Sequence, residues 1–286
     1  PPVENAQLPD VTDEQRAENT CRMEYEDSLR NAYVATFYTA DKAQALASEL
    51  SLPCDDVTSI MLETRGNYGE IETFLRDAVK NDRGAMAIAL LKSLAVKDLR
   101  DTPASVLNDH LYNSKTDADV AKVLCPRIST ELITPFREYL QKNIPATLAD
   151  TVSQSPDVFV KWCKDNLTMC DDISLRYVQL SPKRVWETRL ADKESREIFF
   201  VAVCRSFGVP AWKDTVTGVV KYEKDGLVYD VDFDAQQQTV APQGNLLLKY
   251  KEIPMLDDPK YSIHFTISKF DGETFRLLNY PKSSTW

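Results

Sequence analysis

The chain has 286 residues, of which 43% are apolar, only eight are glycine, and the net charge is −10. That length supports one large domain or two to three smaller ones with cores of their own, and the composition excludes a low-complexity chain. The acidic balance excludes binding to a phosphate backbone, so no nucleic-acid partner is expected; without a long unbroken apolar run, no membrane span is expected either.

The opening PPVENAQLPDVTDEQ is polar and acidic and has no hydrophobic signal core. A mature or trimmed form is expected, since a leader already removed leaves no trace. Residues 1–125 read as a helical domain. AENTCRMEYEDSLRNAYVATFYT has helical spacing for one helix or a pair, and Asp41 opens a second with Ala43, Leu46, Ala47 and Leu50 on one face. Asp55 or Asp56 is expected to cap VTSIMLETR, and IETFLRDAVK groups Phe74, Leu75, Ala78 and Val79. Thr102-Pro103 predicts a cap followed by proline in the first turn of PASVLNDHLYN, which carries His110.

Residues 126–240 are expected to form a second domain. Ser129 predicts the start of a helix that turns Leu132, Ile133, Phe136 and Tyr139 inward, and Pro156 starts another with Phe159, Val160 and Cys163 as its stripe. Then comes SPKRVWETRLADKESREIFFVAVCRSFGVPAW. Asp192 is the expected N-cap, and Glu194 and Glu197 suit the positive end of the helix dipole. Residues 198–203 are apolar without interruption, which predicts a helix buried all round, and Gly208 and Pro210 end it. After Trp212 the pattern alternates, and VTGVVKYE and LVYDVDFD flank Lys224-Asp225-Gly226, a hairpin signal. Asp230 and Asp232 fall on one strand face, which suits either a solvated edge or a pair of carboxylates on a cation or sugar hydroxyl. Residues 241–286 read as a β-strand module, with NLLLKYKEI, a strand YSIHFTISKF holding His264, and a turn at Asp271-Gly272. Too few strands are present for a sandwich, so a longer parent protein is expected.

Six cysteines, at 21, 54, 125, 163, 170 and 204, show no CxxC pair and there are only two histidines. No metal and no cofactor is implied, and buried free thiols are expected, with a Cys163–Cys170 bridge as the alternative.

The ending CRSFGVPAW resembles the arginine–x–x–glycine–isoleucine–proline–alanine close of the core helix in transglutaminase-like proteins, which share a papain-like fold. The likeness covers roughly residues 127–235 and implies an α+β domain with a helix, a short connection and then the core helix. It also implies a catalytic cysteine at the helix start, where this chain has Lys193 after the approach Arg189 to Asp192. The strand position of the family's His-Ala-Trp reads Gly226, Leu227, Val228. A thiolate gains reactivity at a helix N-terminus, where its pKa falls from about 8.5 toward roughly 3.5–7.5. An ammonium at the same place is disfavoured by the dipole and does not substitute for it. The resemblance therefore implies a protein that has lost its catalysis and binds a peptide, protein or glycan. Trp186, Arg189, Asp192, Lys193, Arg196 and Asp230 are the candidate ligand-binding residues. Two other readings stand beside it. One is a hydrolase or acyltransferase using Ser195 as nucleophile, with Asp192, Glu197 or Asp230 as base, since a serine hydroxyl needs one. The other is a purely structural scaffold. By resemblance to exported bacterial proteins, a periplasmic or cell-surface place is expected.

Overall fold

The computed structural model describes residues 10–116, 118–170, 178–241, 244, 246–251, 253–256, 258–270 and 272–281, and mixes helices and strands in an α+β chain. Backbone contacts divide it into two units, residues 1–88 with 95–103, and residues 89–94 with 104–286.

In the first unit, α1 (Asp13–Val34) is a single helix that starts at a capping box, Gln15 N–H donating to Thr12 Oγ1 at 3.2 Å and Thr12 N–H to Gln15 Oε1 at 3.0 Å. None of its residues is buried. α2 (Ala40–Leu50) is capped by Thr39 rather than opened by Asp41, and buries Ala43, Leu46 and Ala47. α3 (Cys54–Thr64) takes Pro53 as its N-cap with no side-chain bond, so Asp55 and Asp56 act only as first-turn charges. α4 (Tyr68–Lys80) adds Ile71, Phe74, Leu75 and Ala78 to this core. α5 (Gly84–Lys92) follows, with residues 84–88 in this unit and 89–92 counted with the second, and α6 (Val96–Leu99) belongs to the first.

The second unit is built around one helix. α7 (Ala104–Tyr112), a π-helical turn at Val120–Leu124, α8 (Arg137–Asn143), α9 (Ala146–Gln154) and α10 (Pro156–Asn166) precede β1 (Thr168–Met169), α11 (Pro182–Thr188) and β2 (Leu190–Ala191). α12 (Lys193–Ser206) comes next, and every residue from Glu197 to Ser206 is buried. Its apolar side chains pack against Phe136, Leu140, Val152, Phe159 and Val185 on the helical side and Val220 and Tyr222 on the sheet side. Gly208 ends it at φ +83°, a conformation that glycine adopts without a Cβ penalty. The sheet runs in order β3 (Ala211–Lys213), β4 (Val220–Lys224), β5 (Leu227–Asp230) and β6 (Thr239–Val240), all antiparallel. β7 (Ser268–Phe270) and β8 (Phe275–Leu277) form a separate hairpin. No helix among the described residues is long and apolar enough to cross a membrane.

Several sequence expectations change here. The helix expected from Ser129 starts only at Arg137; Leu132 is 76% exposed rather than inward, and residues 130–136 are irregular. Pro135 cannot donate to a helical ladder and restricts Thr134, which holds the start back. Asp109 of α7 then caps α8 from outside, accepting from the amides of Phe136, Arg137 and Glu138 at 2.9, 2.8 and 3.0 Å. Thr102 does not cap α7: its hydroxyl is buried without a partner among the described residues. The long strand expected through Asp234 ends at Asp230. Asp232 leaves the strand face it was expected to share, because its side chain accepts from the amides of Asp234 and Ala235 and folds the loop. His264 does not lie on a strand: its Nδ1 accepts from Lys260 N–H at 2.8 Å within a turn where Ser262 has φ +63°. NLLLKYKEI holds no named strand among the described residues, and Asp271 of the expected turn lies outside them.

Candidate functional site

The start of α12 is where the sequence places the site, and its carboxylates and its serine are engaged inside the protein, while Arg189 Nη1 and Arg196 Nε are buried with no hydrogen-bond partner among the described residues. Asp192 caps the helix, accepting from Ser195 N–H at 2.6 Å. Ser195 is buried, and its hydroxyl accepts from Leu180 N–H at 2.8 Å, which anchors the segment ahead of α11. Glu194 accepts from Ser129 Oγ and from Lys213 Nζ, and the same ammonium pairs with Glu197 at 2.8 Å. Burial pulls Lys213 toward the neutral form, yet the two carboxylates outweigh it and hold the ammonium above its ordinary value. Lys193 points no contact inward and is exposed.

The flanking aromatic residues form a stack. Trp186 lies on Trp162 with centroids 5.7 Å apart, and the Arg189 guanidinium covers Trp186 at 3.6 Å and Trp162 at 5.1 Å. Arg189 closes α11 in the left-handed conformation, at φ 58°. Its pKa is lowered by burial. Arg196 covers Phe233 at 4.2 Å. The structure thus brings Trp186 together with Arg189, and Asp192 with Ser195. Asp230 is engaged elsewhere, on Lys221 of β4.

Register decides what the sheet sets beside the helix start. Lys213, which reaches Glu194 and Glu197, is the partner of Val220, and Val231 N–H donates to Val220 O at 2.8 Å. Gly226 and Leu227 lie at the opposite end of the β4–β5 hairpin, where Lys224 pairs with Leu227. The row level with the first turns of α12 therefore contains Lys213, Val220 and Val231, and no imidazole. His110 is fully buried in α7, where its Nδ1 accepts from Arg137 Nε at 3.0 Å. Nε2 then carries the proton and donates to Thr134 O at 3.3 Å. Burial first, and the adjoining Arg137 second, hold this imidazole well below its ordinary pKa and keep it neutral.

No described cysteine is disulfide-bonded, and Cys163 and Cys204 are fully buried. Burial pushes both thiols well up, so neither is a thiolate at neutral pH. No protein-family model, no curated protein and no solved structure matches this chain significantly.

A second feature of this unit is an open cleft of about 810 Å³ between α10 and the sheet. Asp157, Lys161 and Lys164 line it from the helix, Tyr222 and Tyr229 from the strands, and residues 233–238 close one side. Tyr222 and Tyr229 are register partners whose rings stack 5.1 Å apart at 9°. The sequence reading missed this cleft. Its residues come from α10, a hairpin and a loop, and only the alternation placing Tyr222 and Tyr229 in paired strands pointed to it.

The residue that holds this region together was legible in sequence only as part of a motif. Arg205 donates from Nε to Ala211 O at 2.7 Å and from Nη1 to Cys125 O and Arg127 O at 2.6 and 2.9 Å. It fastens the start of β3 and the strand of chain before Ser129 to the end of α12. Arg137, equally buried, donates to Arg205 O at 2.8 Å and to Val123 O, binding α8 and the π-helical turn to the same helix.

Proposed function

We propose that the second unit is a transglutaminase-like domain without catalysis, acting as a binding module for a peptide, protein or glycan. The observation that carries this reading is the state of the first turn of α12. Asp192 is consumed as the cap of its own helix, Glu194, Ser195 and Glu197 are hydrogen-bonded or ion-paired to other parts of the fold, and among the described residues no thiol or imidazole accompanies them. A buried serine whose oxygen already accepts a backbone bond, with no base beside it, is a poor nucleophile. The buried core helix followed by an antiparallel sheet, with Arg205 tying both, supports the resemblance in element order. The same resemblance suggests a place in the bacterial cell envelope.

The test is an amide, ester and glutamine–amine exchange panel on the wild type and on Ser195→Ala, with thiol labelling of the native protein. No turnover is expected from either, and Cys163 and Cys204 should label only after unfolding, while exposed Cys21 and Cys54 label at once. Turnover in the wild type that Ser195→Ala abolishes would overturn the reading, and so would fast native labelling of Cys163 or Cys204 coupled to loss of turnover.

A further inference from the structure

We propose that the cleft between α10 and the β4–β5 hairpin binds an uncharged oligosaccharide, with the Tyr222 hydroxyl at its floor and the Gln236 and Gln237 amides at its rim. This rests on the binding-module reading above and moves the ligand away from the start of α12.

The charge pattern argues first. Three lysines and four aspartates line the cleft; Lys161 pairs with Asp165 at 2.5 Å and Lys164 lies 3.8 Å from Asp234, which leaves Lys224 against Asp157 and Asp225 and a nearly balanced lining. A phosphate or a polyanion finds no cluster of unpaired cations there, and the balance of signs gives neither a polyanion nor a polycation a one-sign surface. What remains is a set of short-range hydrogen-bonding groups. Tyr222 is 2% exposed, yet its hydroxyl has no hydrogen-bond partner among the described residues. Burial first, and the charge of Asp157 second, hold that phenol protonated, so it stays able to donate. The hydroxyl oxygen is not a sealed atom but reaches the cleft, and a ligand hydroxyl supplies both a donor and an acceptor for it in place of water.

The surrounding groups fit the same chemistry. Tyr229 stacks on Tyr222 and is itself half-buried at the cleft wall, presenting aromatic surface of the kind on which the C–H face of a sugar ring packs. Gln236 and Gln237 are exposed, while their neighbour Gln238 is consumed in folding the loop, its amide accepting from Asp232 N–H at 2.7 Å and donating to Asp232 O at 2.9 Å. The two free amides offer paired donor and acceptor atoms to vicinal hydroxyls. An extended peptide is the poorer fit. β5 is already paired by β4 on one side and β6 on the other, so it offers no open edge for main-chain pairing. The volume lies within the range of about 300–1,000 Å³ usual for small-ligand sites.

The experiment is calorimetric titration of the full chain with four soluble probes: cellohexaose, chitohexaose, maltohexaose and xylohexaose. Saturable binding of at least one is expected. Tyr222→Phe, which removes one oxygen, should weaken it about tenfold, in line with losing one hydrogen bond to the ligand. The double variant Gln236→Ala/Gln237→Ala, on an exposed loop and so without a folding penalty, should weaken it by a similar factor. Lys142→Ala, at an exposed position of α8 outside the cleft, should leave it unchanged. No saturable binding of any probe overturns the proposal, as does binding that both cleft variants leave intact. Peptide-library binding lost in Tyr222→Phe, with no hexaose bound, removes the sugar assignment and leaves the binding module standing. Acyl-transfer activity removes the binding module instead.

Discussion

Arg205→Met removes the donors of one buried guanidinium while keeping the length and apolar stem of the side chain. Three backbone carbonyls, those of Cys125, Ala211 and Arg127, lie 2.6–2.9 Å from its nitrogens and would lose their partner. Each buried acceptor left unpaired costs about 1–3 kcal/mol. Against this, methionine sheds the desolvation penalty of a buried cation that has no direct carboxylate partner, which is several kcal/mol. Carbonyls keep a second lone pair and the guanidinium also lies near the chain segment 121–127, so the orphaned acceptors outweigh the relief, and a net loss of about 3 kcal/mol is expected. That is a large share of a domain stability of about 5–15 kcal/mol. Trp162, Trp186 and Trp212 lie in the second unit, two of them packed on its core, so fluorescence-detected urea unfolding follows that unit. With a slope near 3 kcal/mol/M, the midpoint should fall by about 1 M. Arg205→Lys should rescue little, since one ammonium cannot span carbonyls that the planar fork reaches together. A loss under about 0.5 kcal/mol for either variant would refute the assignment of Arg205 as the tie between α12, β3 and the preceding chain.

Two further perturbations read the buried ionisable groups. Lys213→Met leaves Glu194 and Glu197 facing one another without their shared cation, so a loss of about 2–4 kcal/mol is expected at pH 7 in urea unfolding, and a loss under about 0.5 kcal/mol would refute it. In the wild type the raised Lys213 contributes stability that is complete below the unfolded value of about 10.4 and fades as pH rises through the folded one, so alkaline unfolding should move to lower pH in this variant. His110 has the opposite sense: its folded pKa is depressed, so the unfolded chain takes up the proton first and stability falls as pH drops below about 6.5, by up to about 1.4 kcal/mol per unit. His110→Gln should remove that slope between about pH 6.5 and 5, measured by urea midpoints; an unchanged slope would show that another group sets it.

Local chemistry was readable wherever one residue decides it alone. Asp192 caps α12 as its position before the apolar run predicts, and Gly208 and Pro210 end the helix where the pattern stops. Asp225 and Gly226, with φ of 52° and 74°, turn the β4–β5 hairpin. Both residue types tolerate the left-handed region that a two-residue turn needs. The expected helix from Ser129 failed because the start of α8 is held by Asp109, 27 positions earlier for Phe136, and no window of local sequence contains both. The strand through Asp232 failed for a related reason. Its alternation persisted in sequence while the main-chain N–H and C=O of Asp232 bonded the Gln238 side chain and folded the loop back.

From the sequence alone came the buried identity of residues 198–203, the ends of that helix and the absence of a cysteine and histidine at the positions the resemblance names, because composition and spacing along one element fix these. Tertiary structure alone decided what Arg205, Arg137 and His110 hold, which row of the sheet meets the start of α12, and that α10 and a hairpin enclose a polar cleft around Tyr222. Those depend on carbonyls, rings and strand registers supplied by segments distant in the chain, and a hydrogen bond between such segments leaves no periodic mark in either one.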